Sequence, residues 1–221
     1  FIRYYYNSRK CRTSTNRWFK QQNFNNGLEM ETKFIIIDNF YQNPDAVRER
    51  ALNLDFNRNA DYYPGRRSKP ESEDISIELR EAFQQILHKK IYNWFNRYNT
   101  GFQYTIAGDM SWTHHDSTKW AGVIYLSPDA PIETGTGTFR LKESKVGEWD
   151  GVNNSDSDFN GEDILKWDNN YLWEATNLAG NYYNRLVLYK GWTYHRSLVP
   201  GFGTGKENGR LFQNFFFDVV D

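Results

Sequence analysis

Cysteine is nearly absent: the chain of 221 residues holds one, Cys11. An intrachain disulfide is therefore excluded, and so is any zinc site built on several thiolates. Long apolar runs are missing too. No stretch approaches the roughly 18 to 20 residues a membrane-crossing helix needs. The opening residues are polar and aromatic, unlike a secretory leader. The chain begins with Phe rather than Met, so translation is expected to start upstream of it. A reducing, cytoplasmic setting is the expectation. Charge of one sign is also lacking, since 27 Lys and Arg face 28 Asp and Glu, for a net charge of −1. General nucleic-acid binding, which calls for a strongly basic domain, is not indicated. Histidine is scarce, with four in the chain. What is abundant is aromatic: 15 Tyr, 16 Phe and 8 Trp make up 18% of the residues. Most of these read as core and sheet-face residues of a β-rich fold.

The length suits one domain with a substantial core. Residues 1–30 are polar, rich in Asn and Arg, and lack periodicity. They read as an extension outside the core. Its basic cluster (Arg3, Arg9, Lys10, Arg12, Arg17, Lys20) fits a solvated arm, with docking on an assembly partner or a second copy as the functional reading. Residues 31–221 form the single domain. Lys33 to Tyr41 is an apolar, β-branched run expected to be a buried strand. Asn43, Pro44 and Asp45 have the chemistry of a helix start, giving a short helix to about Leu54. Tyr62 to Ser68 reads as a turn-bearing loop. Between 74 and 95, Ile75, Leu79, Phe83, Ile86, Leu87, Ile91 and Trp94 recur at spacings that predict an amphipathic helix lying on a sheet. Beyond residue 100, strands are expected at 102–107, 111–115, 120–127, 137–142, 185–190, 193–199 and 210–219. Short strands punctuated by turns predict a sandwich or jelly roll. Residues 143–182, acidic and rich in Asn, Asp and Gly, read as an insertion. A lid or substrate loop and a solvated excursion fit it equally.

The chemistry concentrates in Trp112-Thr113-His114-His115-Asp116. On a strand, His114 and Asp116 share a face and can offer an imidazole and a carboxylate together. One more imidazole would complete a two-His, one-carboxylate facial triad, which leaves half of an iron's positions open. His88 lies on the amphipathic helix beside Lys89 and Lys90. His195, opening a late strand after Lys190 to Tyr194, is the natural third ligand. His-x-Asp alone also fits two polar residues at a strand edge. Here it precedes an apolar strand, Trp120 to Leu126. His195 follows a strand and a turn, and Arg210 opens the last strand. An arginine pairs bidentately with carboxylates, as the distal end of an iron-chelating keto acid requires. His115, between the ligands, is left with substrate contact or support of the ligands as its functional reading.

These residues, with the tract Arg185 to Tyr189 leading to His195 and the entry Asp38-Asn39-Phe40-Tyr41 followed by Pro44 and a helix, resemble the Fe(II)/2-oxoglutarate-dependent dioxygenases. The pattern is similar to their prolyl-hydroxylase-like branch, including small bacterial and phage members, and runs over roughly residues 33–219. The resemblance implies a mainly β (α+β) fold, a distorted double-stranded β-helix of jelly-roll or cupin-like type with supporting helices on one face. It implies His114, Asp116 and His195 as catalytic iron ligands, Arg210 as the anchor of the cosubstrate 2-oxoglutarate, and Tyr104 as a further cosubstrate contact. The implied activity is hydroxylation with O2, 2-oxoglutarate being decarboxylated to succinate. A peptidyl residue such as proline is the substrate expected by analogy. The Gly-rich Pro200 to Gly209 segment lengthens the usual step from His195 to Arg210, and the usual Arg-x-Ser continuation is absent. Arg185 and Arg196 therefore stay open as alternative anchors.

The competing reading is a jelly-roll binding or structural protein of a larger assembly that keeps the metal site as a relic. Asp156-Ser157-Asp158-Phe159-Asn160-Gly161 matches the opening of a calcium loop but has Trp167 where the closing Glu belongs. It reads better as a polar turn. Gly135 to Gly137 and Gly201 to Gly205 lack the strand-to-helix setting of phosphate loops and read as turns. No nucleophile elbow is present.

Overall fold

A computed structural model describes residues 32–57, 64–149 and 169–220. The N-terminal extension, the calcium-like motif at 156–161 and residues 58–63 lie outside the described residues. Among those described, two antiparallel sheets face each other and two helices cover the outside of the larger one. No described helix is long and apolar enough to cross a membrane.

The larger sheet has seven strands among the described residues. They are β1 (Phe34–Ile37), β2 (Arg66–Arg67), β3 (Ile91–Trp94), β4 (Phe102–Thr105), β5 (Trp120–Tyr125), β8 (Leu186–Lys190) and β10 (Arg210–Val219). The order runs β1-β8-β5-β10-β4-β2, with β3 beside the far end of β10. The smaller sheet orders β7 (Trp173–Ala179), β6 (Thr136–Leu141) and β9 (His195–Ser197) as β7-β6-β9.

Strand parity explains the layers. In β10, Leu211, Phe215, Phe217 and Val219 point outward with Ile124, Leu186 and Leu188 of the neighbouring strands. There they meet α1 (Pro44–Leu52) and α2 (Glu73–Leu87) through Val47, Ala51, Leu79, Ala82 and Phe83. Phe83 stacks on Phe217 at 5.5 Å and meets Phe215 edge-on at 4.7 Å. The alternate residues point between the sheets: Phe212 packs with Ala121, Val123, Tyr125, Val187 and Tyr189. Residues two apart on a strand share a face, so one sequence tract builds both the helix-covered core and the inner wall of the barrel.

The helix starts follow the caps. Asn43 accepts from the Ala46 amide with Pro44 in the first turn, as expected. α2 ends sooner than the periodicity predicts. His88 takes a left-handed conformation (φ 51°) and closes the helix at Leu87. Ile91 to Trp94 then pair with β10, so their apolar spacing belongs to a strand. Three other expectations change. Residues 111–115 form no strand; His114 alone bridges to His195. Arg66–Arg67 adds an edge strand inside the expected loop. And the insertion is narrower than 143–182, because Trp173–Ala179 pairs along β6 and completes the smaller sheet. Its Trp-Glu-Ala-Thr-Asn-Leu-Ala sequence hid this: the exposed face of an edge strand carries no apolar alternation.

Candidate metal centre and its cavity

His114 and His195 sit directly opposite each other. The His114 amide donates to the His195 carbonyl at 3.1 Å, and the His195 amide to the His114 carbonyl at 2.8 Å. Two residues on, the Asp116 amide donates to the Gly191 carbonyl at 2.7 Å. Gly191 must be glycine here, because a Cβ would lie 2.2 Å from the Thr118 carbonyl oxygen. The loop that carries the His-x-Asp motif is thus fastened twice to the chain that carries His195. The motif is held without the strand that its spacing suggested.

The potential ligand atoms of His114, Asp116 and His195 all lie within 4.8 Å of one another. The rings of His114 and His195 are 4.4 Å apart. Each imidazole has its Nδ1 on a backbone carbonyl, His114 on Trp112 at 2.9 Å and His195 on Thr193 at 2.7 Å. Those carbonyls accept only from an Nδ1–H, which leaves the Nε2 atoms as the potential ligand atoms of the two rings. His195 Nε2 stands 3.2 Å from Asp116 Oδ2, which is buried and has no other hydrogen-bond donor among the described residues. A cation placed between the imidazole nitrogens and this oxygen would satisfy them together. The residues present therefore fit a divalent metal ion, and two histidines with one carboxylate are the donor set of an open iron site.

Electrostatics agree. Burial, then the neighbouring His195 charge, pushes the His114 imidazole down to about 4, so it is neutral and ready to ligate. Burial pushes the Asp116 carboxyl up, but the imidazoles of His195, His114 and His115 outweigh it and hold the group below its ordinary value.

This centre opens into a cavity of about 430 Å³ between the sheets. Arg210 lies in its wall at 2% exposure. Its Nε donates to the Thr134 carbonyl at 2.7 Å and its Nη2 reaches Thr136 Oγ1 at 3.4 Å. The guanidinium lies over Phe212 at 4.4 Å. Among the described residues it has no carboxylate partner. Burial pushes its pKa down from the ordinary value. A desolvated cation without a counter-charge is costly unless an anion joins it.

The other sequence candidates divide. Arg196 lines the cavity, donates to Thr113 Oγ1 at 2.9 Å and lies over the Phe139 ring at 4.3 Å. Arg185 does not line it; its guanidinium forks onto Asp38 at 2.6 and 2.9 Å. Tyr104 is corrected. It faces the helix side, 5.0 Å from Phe56 and beneath Arg66. Parity is the reason: Tyr104 registers with outward Leu211, and Gln103 registers with inward Phe212. The cavity therefore receives Gln103 from β4. His115 lines the cavity and stacks on Trp149 at 4.8 Å, nearly parallel. Sequence reasoning passed over Gln103, Asn214, Thr136 and Arg67. Counting by twos from Arg210 would have found Asn214.

A double-stranded β-helix with this cluster between its sheets is the class the fold and site define. A solved structure that superposes at a TM-score of 0.50 agrees on the fold, and two further matches stand beside it. HygX from Streptomyces hygroscopicus, crystallised with nickel and 2-oxoglutarate, superposes with a TM-score of 0.50 at 13% identity, over 84% of this chain and 82% of that one. A prolyl-4-hydroxylase from Pseudomonas putida matches at 15% identity and TM-score 0.46, over 84% and 91%. A prolyl hydroxylase from Trichoplax adhaerens, in complex with a hypoxia inducible factor oxygen degradation domain peptide, matches at 13% and 0.48, over 84% and 83%. In sequence, the model of a family of unknown function, DUF6445, matches residues 23–100. That stretch ends before β4 and contains none of His114, Asp116, His195 or Arg210. No curated protein matches the sequence.

Proposed function

We propose that the protein is an Fe(II)- and 2-oxoglutarate-dependent oxygenase that hydroxylates its substrate. One observation carries this: the potential ligand atoms of two imidazoles and a carboxylate come together in the same cavity that buries an arginine with no carboxylate partner among the described residues. HygX binds nickel and 2-oxoglutarate on the same fold.

His114, Asp116 and His195 would hold the iron on one face, leaving the other open for a chelating keto acid and O2. When bound, the iron would let O2 act as the oxidant, taking two electrons from 2-oxoglutarate and two from the substrate, with one oxygen atom leaving in succinate, the other in the hydroxylated product, and carbon dioxide released. The protein's part is placement. The Trp112 and Thr193 carbonyls fix both imidazole tautomers. Arg210 binds the distal carboxylate of 2-oxoglutarate, held in aim by Thr134 and Thr136. Val123, Tyr189 and Phe212 line the cavity and keep bulk water from the reacting atoms. A peptidyl side chain remains the substrate expected by analogy.

Anaerobic titration with Fe(II) and 2-oxoglutarate tests the reading. A visible charge-transfer band of the chelated keto acid is expected, and it is lost in His114→Ala. Iron binding without the band would remove the cosubstrate assignment and leave the metal. No iron binding at all would leave a jelly-roll binding protein.

A further inference from the structure

Counting by twos along β10 gives Arg210, Phe212, Asn214 and Phe216, and all four line the cavity. Arg210 holds one end of this column. At the other end Phe216 registers with Ala121 of β5, and Ala121 with Tyr189 of β8, whose ring lies 4.5 Å from that of His195. Asn214 stands between the two ends, across from Val123. Its backbone is fully engaged, the amide donating to the Gly101 carbonyl and the carbonyl accepting from the Thr100 amide, both at 3.1 Å. Whatever Asn214 offers the cavity is therefore offered by its side chain.

The orientation of that side chain is dictated by its neighbours. The Pro64 carbonyl only accepts, so Gln103 must turn Nε2 to it, at 2.6 Å. The Arg67 guanidinium only donates, so Gln103 must turn Oε1 to it, where Nε and Nη2 arrive at 3.0 and 2.6 Å. The Gln103 amide is thus fixed from both ends. Asn214 faces that same Oε1 at 3.0 Å and must present Nδ2. Its own Oδ1 then turns away from β4, toward the β5 side of the cavity. Asn214 is 4% exposed, and its Oδ1 accepts no hydrogen bond among the described residues. Gln103 Oε1 already takes three donors, whereas Asn214 Oδ1 takes none. Two residues on, about 7 Å along the strand, Phe216 meets Tyr98 edge-on at 6.5 Å, and Tyr98 stacks on Phe95 at 5.6 Å. A fixed acceptor thus stands beside an aromatic wall.

We infer that Asn214 Oδ1 is a specificity-determining acceptor: the substrate presents an N–H or O–H to it and lays an apolar or aromatic portion against Phe216 and Tyr98. The inference deepens the oxygenase reading and rests on it for the use of the site. Asn214 touches the substrate, and Gln103 acts through it as a positioning residue.

The test is calorimetric binding of N-benzylacetamide, which carries an N–H, and of N-benzyl-N-methylacetamide, which carries none. Both are neutral, and both bring an aromatic ring. The protein is the full chain loaded with Mn(II) and saturating 2-oxoglutarate. The N–H compound is expected to bind at least about tenfold more tightly, because its methylated analogue leaves a buried acceptor unpaired. Asn214→Leu, similar in size, is expected to bring the two within about twofold by weakening the N–H compound alone. Gln103→Met leaves Asn214 in place but frees its amide to turn. The preference should then fall to about threefold while the methylated compound keeps its affinity, which a general loss of packing would not allow. Equal binding of the pair, binding of neither, or a preference that survives Asn214→Leu would each overturn the inference. Should Asn214→Leu fail to fold, an undiminished preference in Gln103→Met overturns it instead. Titrating the metal and 2-oxoglutarate first separates this failure from that of the oxygenase reading. If the parent chain binds neither, the oxygenase reading falls. The preference measured on the metal-free protein then decides the inference alone, because Asn214 and Gln103 take their orientation from Pro64 and Arg67 and not from the metal.

Discussion

The most consequential single residue outside the metal cluster is Arg210. Nearly every buried arginine has an acidic partner or several carbonyls, because the guanidinium gives up its hydration on entering the interior. Arg210 has one carbonyl, one hydroxyl and two aromatic faces. Arg210→Met keeps the packing against Phe212 and removes the charge. It is expected to weaken 2-oxoglutarate by on the order of a hundredfold, the worth of a charge-assisted pair, while leaving metal affinity unchanged. Arg210→Lys should recover part of the loss. Calorimetric titration of 2-oxoglutarate into the metal-loaded variants checks both, and a cosubstrate affinity indifferent to the substitution would point to Arg196, which also lines the cavity. The meeting of His114, Asp116 and His195 was legible in the sequence because histidine is scarce: of four, one caps an exposed helix end and two adjoin one aspartate. Tyr104 and Gln103 were not legible in the same way. Which of two neighbours faces the cavity depends on register, and register is set by pairing with β10, far along the chain.

At the scale of elements, the edge strand β1 shows how the barrel's rim is closed. Among the described residues it pairs only with β8, through Phe34 to Ile37. Just beyond that ladder, Asp38 takes both arms of Arg185, the residue before β8. Hydrogen bonding from Arg185 holds the Asp38 carboxyl below its ordinary value, against an upward push from burial and with the Arg185 charge adding to the lowering. A lowered carboxyl contributes stability above its unfolded value and loses it as the pH falls through its folded value. Asp38→Asn is therefore expected to lower stability by about 0.5 kcal/mol at neutral pH, the scale of an exposed bidentate pair. The difference from the parent chain should shrink as the pH falls through that folded value. Paired thermal melts at pH 7 and pH 2.5 measure it; a difference that persists in acid would assign it to shape instead of charge. Strands buried on both faces, β5 and β8, announced themselves as continuous apolar runs. β7 did not, since its middle residues are exposed on an edge. The His114 loop misled in the opposite direction: alternation suggested a strand where a two-point fastening to Gly191 and His195 does the same work.

For the whole molecule, the division into two faces of one sheet separates stability from function. The outer face packs Phe83, Phe215, Phe217 and Leu79 against the helices and needs no ligand. The inner face holds the candidate metal centre of His114, Asp116 and His195 and an arginine without a carboxylate partner among the described residues, both of which a ligand would answer. Binding should therefore stabilise the fold by more than contact alone suggests, and in two separable steps. At a hundred times its dissociation constant, a ligand that binds only the native state adds about 2.7 kcal/mol. In a domain of this size that corresponds to a rise in Tm of roughly 5 to 10 °C. Mn(II) and then 2-oxoglutarate, added in turn under anaerobic conditions, are each expected to raise the Tm. His195→Ala should abolish both increments, because the keto acid is held partly by the metal. Arg210→Met should keep the first and lose most of the second. A chain whose melting ignores both ligands, in every variant, would have kept the shape of the site without its binding energy.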